Sequence, residues 1–288
     1  MSDYAGVAVK TDDLGVVTIT IDRPAVLNAL DWAAMDAFAT AVADLAGRLR
    51  SPTPAAGARG EPATAPVAPR TDGGAPRVVI VTGAGDRAFC VGGDQSALES
   101  CTSPDDGARL AALMGDALLE LERLPVPVIA AINGYALGGG SEIALACDLR
   151  VADEAARLGL VHLDLALIPG WGGGQRLARQ VGYGRAAEML LTARVYDARE
   201  LREFGLVNAV APRGQALPAA LELATRLASA DPGAVRAVKE LLAAAGAMPY
   251  ESALAAEREL FAPLWVADAH LEALRRFAAR RAEPGPAR

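Results

Sequence analysis

The chain has 288 residues, 52% hydrophobic and 22% charged, which suits a soluble globular protein with one large domain or two modest ones. Its formal charge of −7 argues against nucleic acid or an anionic membrane as the main partner, and no apolar run approaches the ~20 residues of a membrane span. Cys90, Cys101 and Cys147 form neither an even disulfide set nor a metal-ligand spacing. They point to a reducing cytoplasm, and each reads as a small buried hydrophobe. The N-terminus, "MSDYAGVAVKTDD", carries no secretory signal pattern.

In chain order, "VVTITI" (16–21) predicts a strand and 31–48 a helix. Residues 51–76, "SPTPAAGARGEPATAPVAPRTDGGAP", hold six prolines, seven alanines and no aromatic residue. They bury too little apolar surface to offset the entropy of ordering, so a flexible surface insertion is expected. Strands follow at 77–83 ("RVVIVTG"), 127–136 ("PVIAAINGYA"), 149–153 ("LRVAD") and 206–212 ("LVNAVAP"), with helices at 107–123 and 184–193. This alternation predicts an α/β core. Strand signals stop after residue 213, and amphipathic helices are expected at about 215–230, 232–246, 250–262 and 267–281. The expected organisation is a core over 1–213, interrupted by the insertion, and a helical region over 214–288.

In "INGYALGGGSEIALACDL" (132–149) a strand runs through a turn and three glycines into a helix-compatible stretch. Gly138, Gly139 and Gly140 allow close approach of backbone and leave amide N–H groups free at a helix start, a ready site for negative charge. Glu142 falls in the first turn, where it can also serve simply to complement the helix dipole. "GDRAFCVGGDQSAL" (85–98) repeats the design, with Gly92, Gly93 and then Asp94 as a candidate N-cap. Two such junctions can each aim one N–H at the same oxygen, which makes an oxyanion hole.

Four segments in this order resemble the crotonase superfamily, the enoyl-CoA hydratase/isomerase group: "RPAVLNALD" (23–31), "AFCVGGD" (88–94), "NGYALGGGSEIALACDLRVA" (133–152) and "IPGWGGGQRLAR" (168–179). The likeness runs from about residue 7 to 281 and includes the tail "DAHLEALRRFAARR" (268–281). The resemblance implies a spiral of β–β–α units with a helical C-terminal trimerisation region, assembled as a homotrimer or a dimer of trimers. It implies an acyl-CoA thioester whose oxygen sits between the amides of Gly93 and Gly139, beside Gly92 and Gly138. It maps further substrate contacts to Val26, Leu27 and Asn28, and a CoA phosphate contact to Arg280 or Arg281. An acyl-carrier-protein thioester offers the same pantetheine arm. No metal or redox cofactor is expected, CoA entering only as part of the substrate.

The family's hydratases use two glutamates, and the first matches Glu142. Where the second is expected, this chain reads "LGLVHLDLALIPG" (158–170), which puts His162 in its place. The imidazole is therefore expected to face the acyl group across from Glu142. Asp164 would point the same way if the segment were a strand. Trp171, in "PGWGGG", is placed either in the wall of the acyl pocket or under the following helix. Hydration of a 2-enoyl-CoA, a lyase reaction of the kind used in fatty-acid metabolism, is the first expectation. The second is decarboxylation of a short branched malonyl-CoA of the methylmalonyl or ethylmalonyl type. A His followed by a Pro-x-Trp-Gly-Gly turn (His162, then 169–173) resembles the ethylmalonyl-CoA decarboxylase branch, and replacing a glutamate by histidine removes a repulsion on a substrate carboxylate of about 4 kcal/mol at 4 Å. Glu142 alone could also isomerise an enoyl-CoA. Outside these classes stands a non-catalytic acyl-CoA binder.

Overall fold

The computed structural model describes residues 2–50 and 75–282, with side chains over 4–50 and 75–279. Nearly all of the 51–76 insertion, and the side chains of Arg280 and Arg281, lie outside the described residues.

β1 (Ser2–Tyr4), β2 (Val7–Thr11) and β3 (Val16–Ile21) form an antiparallel meander, and α1 (Trp32–Arg50) follows. The chain then winds in turns that give one strand to each of two sheets before a helix. The first turn is β4 (Val78–Gly83), β5 (Ala88–Cys90), the short α2 (Gln95–Leu98) and α3 (Pro104–Glu122). The second is β6 (Val128–Ile132), β7 (Tyr135–Leu137) and α4 (Gly139–Ala146). The third is β8 (Leu149–Asp153), β9 (Arg157–Gly159) and α5 (Gly173–Thr192). β10 (Tyr196–Asp197), α6 (Ala198–Glu203) and β11 (Ala209–Ala211) close the spiral. The large sheet runs β1-β2-β3-β4-β6-β8-β11, parallel from β3 onward, and the small sheet runs β10-β9-β7-β5. This is the β–β–α spiral that the sequence motifs led us to expect.

β4 reads as a continuous apolar run because both of its faces are covered. Val79 and Val81 join the main core with Phe38, Phe89 and Leu118, while Val78 and Ile80 point the other way, toward α7 (Ala216–Ala228). α7 presents alanines at 216, 220, 224 and 228, one per turn, so its backbone lies close on the sheet. The contacts divide the chain after Ser229, which places α7 with the sheet it covers. The boundary read from the sequence, 213/214, falls instead between β11 and α7.

The second unit contains α8 (Pro232–Ala247), α9 (Tyr250–Trp265) and α10 (Asp268–Ala282). Phe261, Trp265 and His270 stack in sequence, and Phe261, Trp265 and Phe277 remain exposed.

Three expectations change. The single strand expected at 127–136 is two strands, β6 and β7, one in each sheet. The helix expected at 184–193 is the second half of α5, which starts at Gly173 and breaks at Gly182 (φ +76°). The segment holding Asp164 is no strand: Val161–Leu165 is a 3-10 turn closed by Ala166 and Leu167 amides on the Leu163 and His162 carbonyls. Strand alternation therefore does not put Asp164 beside His162, and Asp164 is exposed.

Candidate active site

α4 is buried along its whole length, and Gly138 starts it with a backbone (φ +54°, ψ −123°) that a side chain would strain. A Cβ on Gly140 would overlap the Cys90 carbonyl oxygen, and one on Gly92 would stand 2.9 Å from the Gly139 nitrogen. Bare backbone on both sides lets the two glycine junctions meet. Gly139 is the first residue of its helix, so its N–H has no intrahelical acceptor. Leu30 bridges the residues either side of Gly93, donating to Gly92 and accepting from Asp94, so the Gly93 N–H points away from Leu30. Among the described residues neither amide donates a hydrogen bond. The first junction is held by Arg23, which pairs with Asp31 at 2.7 Å and Asp94 at 3.3 Å. Asp94 occupies the N-cap position of α2, and its carboxylate accepts from the Ser96 hydroxyl and from the Arg23 guanidinium. That hydroxyl, with the Ala97 amide and Arg23 beyond it, holds the Asp94 carboxyl below its ordinary range.

Glu142 lies three residues after Gly139, on the same face of α4. Its side chain is 1% exposed. Oε2 accepts from the Trp171 and Gly173 amides at 2.9 and 2.7 Å, while Oε1 lies 3.1 Å from His162 Nε2. The imidazole thus does not stand across a gap from Glu142; it touches it. The Gly138 amide and the Ser141 hydroxyl both donate to the Gly159 carbonyl, which ties the end of β9 to the start of α4 and brings His162 in. His162 Nδ1 is buried without a partner among the described residues. We assign the ring proton to Nε2, donating to the carboxylate, because the other tautomer would bury an orphan N–H, a rarer defect than an orphan acceptor.

Trp171 is 5% exposed, and a Cβ on Gly139 would overlap its indole. The ring packs on the start of α4. Arg176 and Glu122, which the sequence reading did not single out, stand behind it: Arg176 Nη1 donates to the Trp171 carbonyl, and Nε pairs with Glu122, each at 2.8 Å. The available signal was a cation in the first turn of a helix.

Among the residues mapped to CoA, Val26 is exposed, while the half-buried Leu27 lines a small hollow with Pro24, Asn28, Gly85 and Arg87. The Asn28 side chain is fully buried. It accepts from the Arg23 amide and donates to the Ala84 and Ala88 carbonyls, joining this turn to the loop after β4. Cys90 is buried beside Gly92, and burial pushes its thiol up to about 12. Among the described residues no three or more His, Cys, Asp or Glu side chains are grouped to hold a metal ion, and no helix is long and apolar enough to cross a membrane.

Two sheets wound as a spiral, with a carboxylate and an imidazole beside two unpartnered glycine amides, define an α/β enzyme fold of the crotonase type. The family model for enoyl-CoA hydratase/isomerase matches residues 70–284, and the chain belongs to that family. It is 37% identical over 203 residues to the short-chain-enoyl-CoA hydratase of Clostridium acetobutylicum, covering 70% of this chain and 77% of the relative. An enoyl-CoA hydratase/isomerase of Bacillus subtilis, YngF, is 48% identical over 163 residues; that match spans 57% of this chain and 62%, under two thirds, of the relative. The ethylmalonyl-CoA decarboxylase of Gallus gallus is 34% identical over 201 residues, 69% of this chain and 67% of the relative. Among solved structures, an enoyl-CoA hydratase from Bacillus anthracis superimposes with a TM-score of 0.82 at 34% identity, covering 96% of this chain and 97% of that one.

Proposed function

We propose that the protein is a lyase that adds water to a 2-enoyl-CoA. The observation that carries this reading is the placement of Glu142 and the Gly139 amide on one face of one buried helix, beside His162. In this reading the thioester oxygen lies between the Gly93 and Gly139 amides, so negative charge developing there meets two fixed donors. Water adds to the β-carbon, and the C=C electron pair moves to give the thioester enolate. Glu142 takes the proton of the water on Oε1 and returns a proton to the α-carbon, giving the 3-hydroxyacyl-CoA. His162 donates Nε2–H to Oε1 and orients it. The hydratase names among the relatives support this reading. These proton transfers need no metal or redox cofactor.

The identity of His162 favours one second reading, decarboxylation of a short branched malonyl-CoA. There the carboxylate leaves as carbon dioxide, its bonding pair forms the same enolate, and Glu142, entering protonated, delivers the proton. A decarboxylase among the relatives is in keeping with it. The family resemblance carries assembly as a homotrimer or a dimer of trimers, for which Phe261, Trp265 and Phe277 leave apolar surface exposed, and Cys90, Cys101 and Cys147, which form no disulfide, support a cytoplasmic location. An acyl-carrier-protein thioester fits the same chemistry.

Mass spectrometry of the products from crotonyl-, methylmalonyl- and ethylmalonyl-CoA in heavy water separates the readings. A water adduct of crotonyl-CoA is expected. Loss of carbon dioxide with one deuteron gained, and no adduct, would replace hydration by decarboxylation.

A further inference from the structure

Arg176 breaks two rules of helix design. It lies in the first turn of α5, where the dipole disfavours a cation, and it is only 8% exposed. Its side chain folds back over Gly172, where a Cβ would come within 2.7 Å of Nη1. Nε is paired with Glu122 of α3 and Nη1 with the carbonyl of Trp171. The same short turn supplies both amides that hold Oε2 of Glu142. The indole is seated on Gly139 and the carbonyl is held by Arg176, so Trp171 is anchored at both its side chain and its carbonyl, between the two amides that hold Oε2. A buried cation placed against a helix dipole costs stability, and such local violations are expected at functional sites.

We propose that Arg176, braced by Glu122, is a positioning residue for Glu142. It fixes the 171–173 turn so that Oε2 stays bound by two amides and Oε1 alone is turned to His162 and the reacting carbon. The inference rests on the reading of Glu142 as the acid/base. It calls for a guanidinium, because the Glu122 carboxylate and the Trp171 carbonyl are met by two nitrogens of one rigid fork, which a lysine ammonium cannot reproduce.

The test measures crotonyl-CoA hydration by Arg176→Met, Arg176→Lys and Glu122→Ala, with Arg176→Met repeated in a Glu142→Gln background. Arg176→Met should lower kcat about 100-fold with KM within about twofold, the effect of a displaced catalytic group. Arg176→Lys should recover only part of that loss. In the Glu142→Gln background the added loss should shrink to about twofold or less, because the group being positioned is gone. A further readout needs no turnover. The chain has two histidines, His162 and His270, and Arg176→Met should move the ring N–H proton resonance of His162 while leaving His270 unchanged. Equal losses in both backgrounds, or an unmoved His162 resonance, would overturn the proposal. If Arg176→Met does not fold, Glu122→Ala decides: kcat should fall about tenfold, and an unchanged kcat would overturn the positioning role. Full activity of Glu142→Gln alone would sink the reading of Glu142, whereas an inactive Glu142→Gln beside a fully active Arg176→Met would sink the positioning role only.

Discussion

The indole of Trp171 occupies the space in which a side chain on Gly139 would stand. The aromatic ring sets how close the next chain segment comes to the start of α4, and with it the direction of the Gly139 N–H. Gly139→Ala should therefore force the ring or the helix aside. An overpacking cost of about 1–3 kcal/mol is expected in thermal or urea denaturation. With the Gly139 amide as the proposed oxyanion donor, its displacement should lower kcat by about 10²–10³. Adding Trp171→Phe, which shrinks the ring, should restore part of both. If stability returns but activity does not, the Gly139 amide is displaced by something other than the ring.

Glu142→Gln removes the proposed acid/base while keeping a side chain of the same shape. Turnover should fall by about 10²–10⁴, the usual contribution of a positioned acid/base group. Calorimetric affinity for a saturated acyl-CoA should change little, because the proposed thioester contacts come from backbone. A variant that turns over at a tenth of the wild-type rate or better would exclude Glu142 from the proton transfers.

His162→Glu places a second carboxylate where the imidazole touches Glu142. If repulsion of a substrate carboxylate governs the choice of reaction, the ratio of hydration to decarboxylation should rise, read by mass spectrometry on mixed substrates. An unchanged ratio would mean that His162 serves to orient Glu142 and does not select the substrate.

The buried thiols give a prediction independent of catalysis. Cys101 is half-buried, whereas Cys90 and Cys147 are buried. A thiol reagent should modify Cys101 first in the native protein and reach the other two only on unfolding. Cys90 has a folded-state value near 12 against an ordinary 9, so the folded state holds its proton more tightly. The corresponding stability is present below pH 9 and is lost as pH rises toward 12. Denaturation midpoints should fall through this alkaline range, and less steeply for Cys90→Ala. Equal slopes would assign the alkaline loss to other groups.

The sequence determined a great deal through local chemistry. The β-branched runs at 16–21, 77–83 and 149–153 form strands because both faces, or one, pack on apolar neighbours. The glycines at 92–93 and 138–140 mark the two strand–helix junctions because only bare backbone permits so close a contact. The short strands β5, β9 and β10 escaped notice: two or three residues carry no readable period, and their pairing partners are distant in the chain. The same limit applies to the site. Glu142 and His162 were legible as candidates, one by its place in a helix's first turn and the other by its departure from a pattern. Their direct contact was not, since it depends on the Gly159 carbonyl tying β9 to α4 and on a 3-10 turn that no alternation rule foresees. The Glu122–Arg176–Trp171 brace joins α3 to the start of α5 and then to α4. The Glu122 and Arg176 side chains, 54 residues apart, come into hydrogen-bond range only when the spiral closes, so that part of the site belonged to the tertiary structure alone.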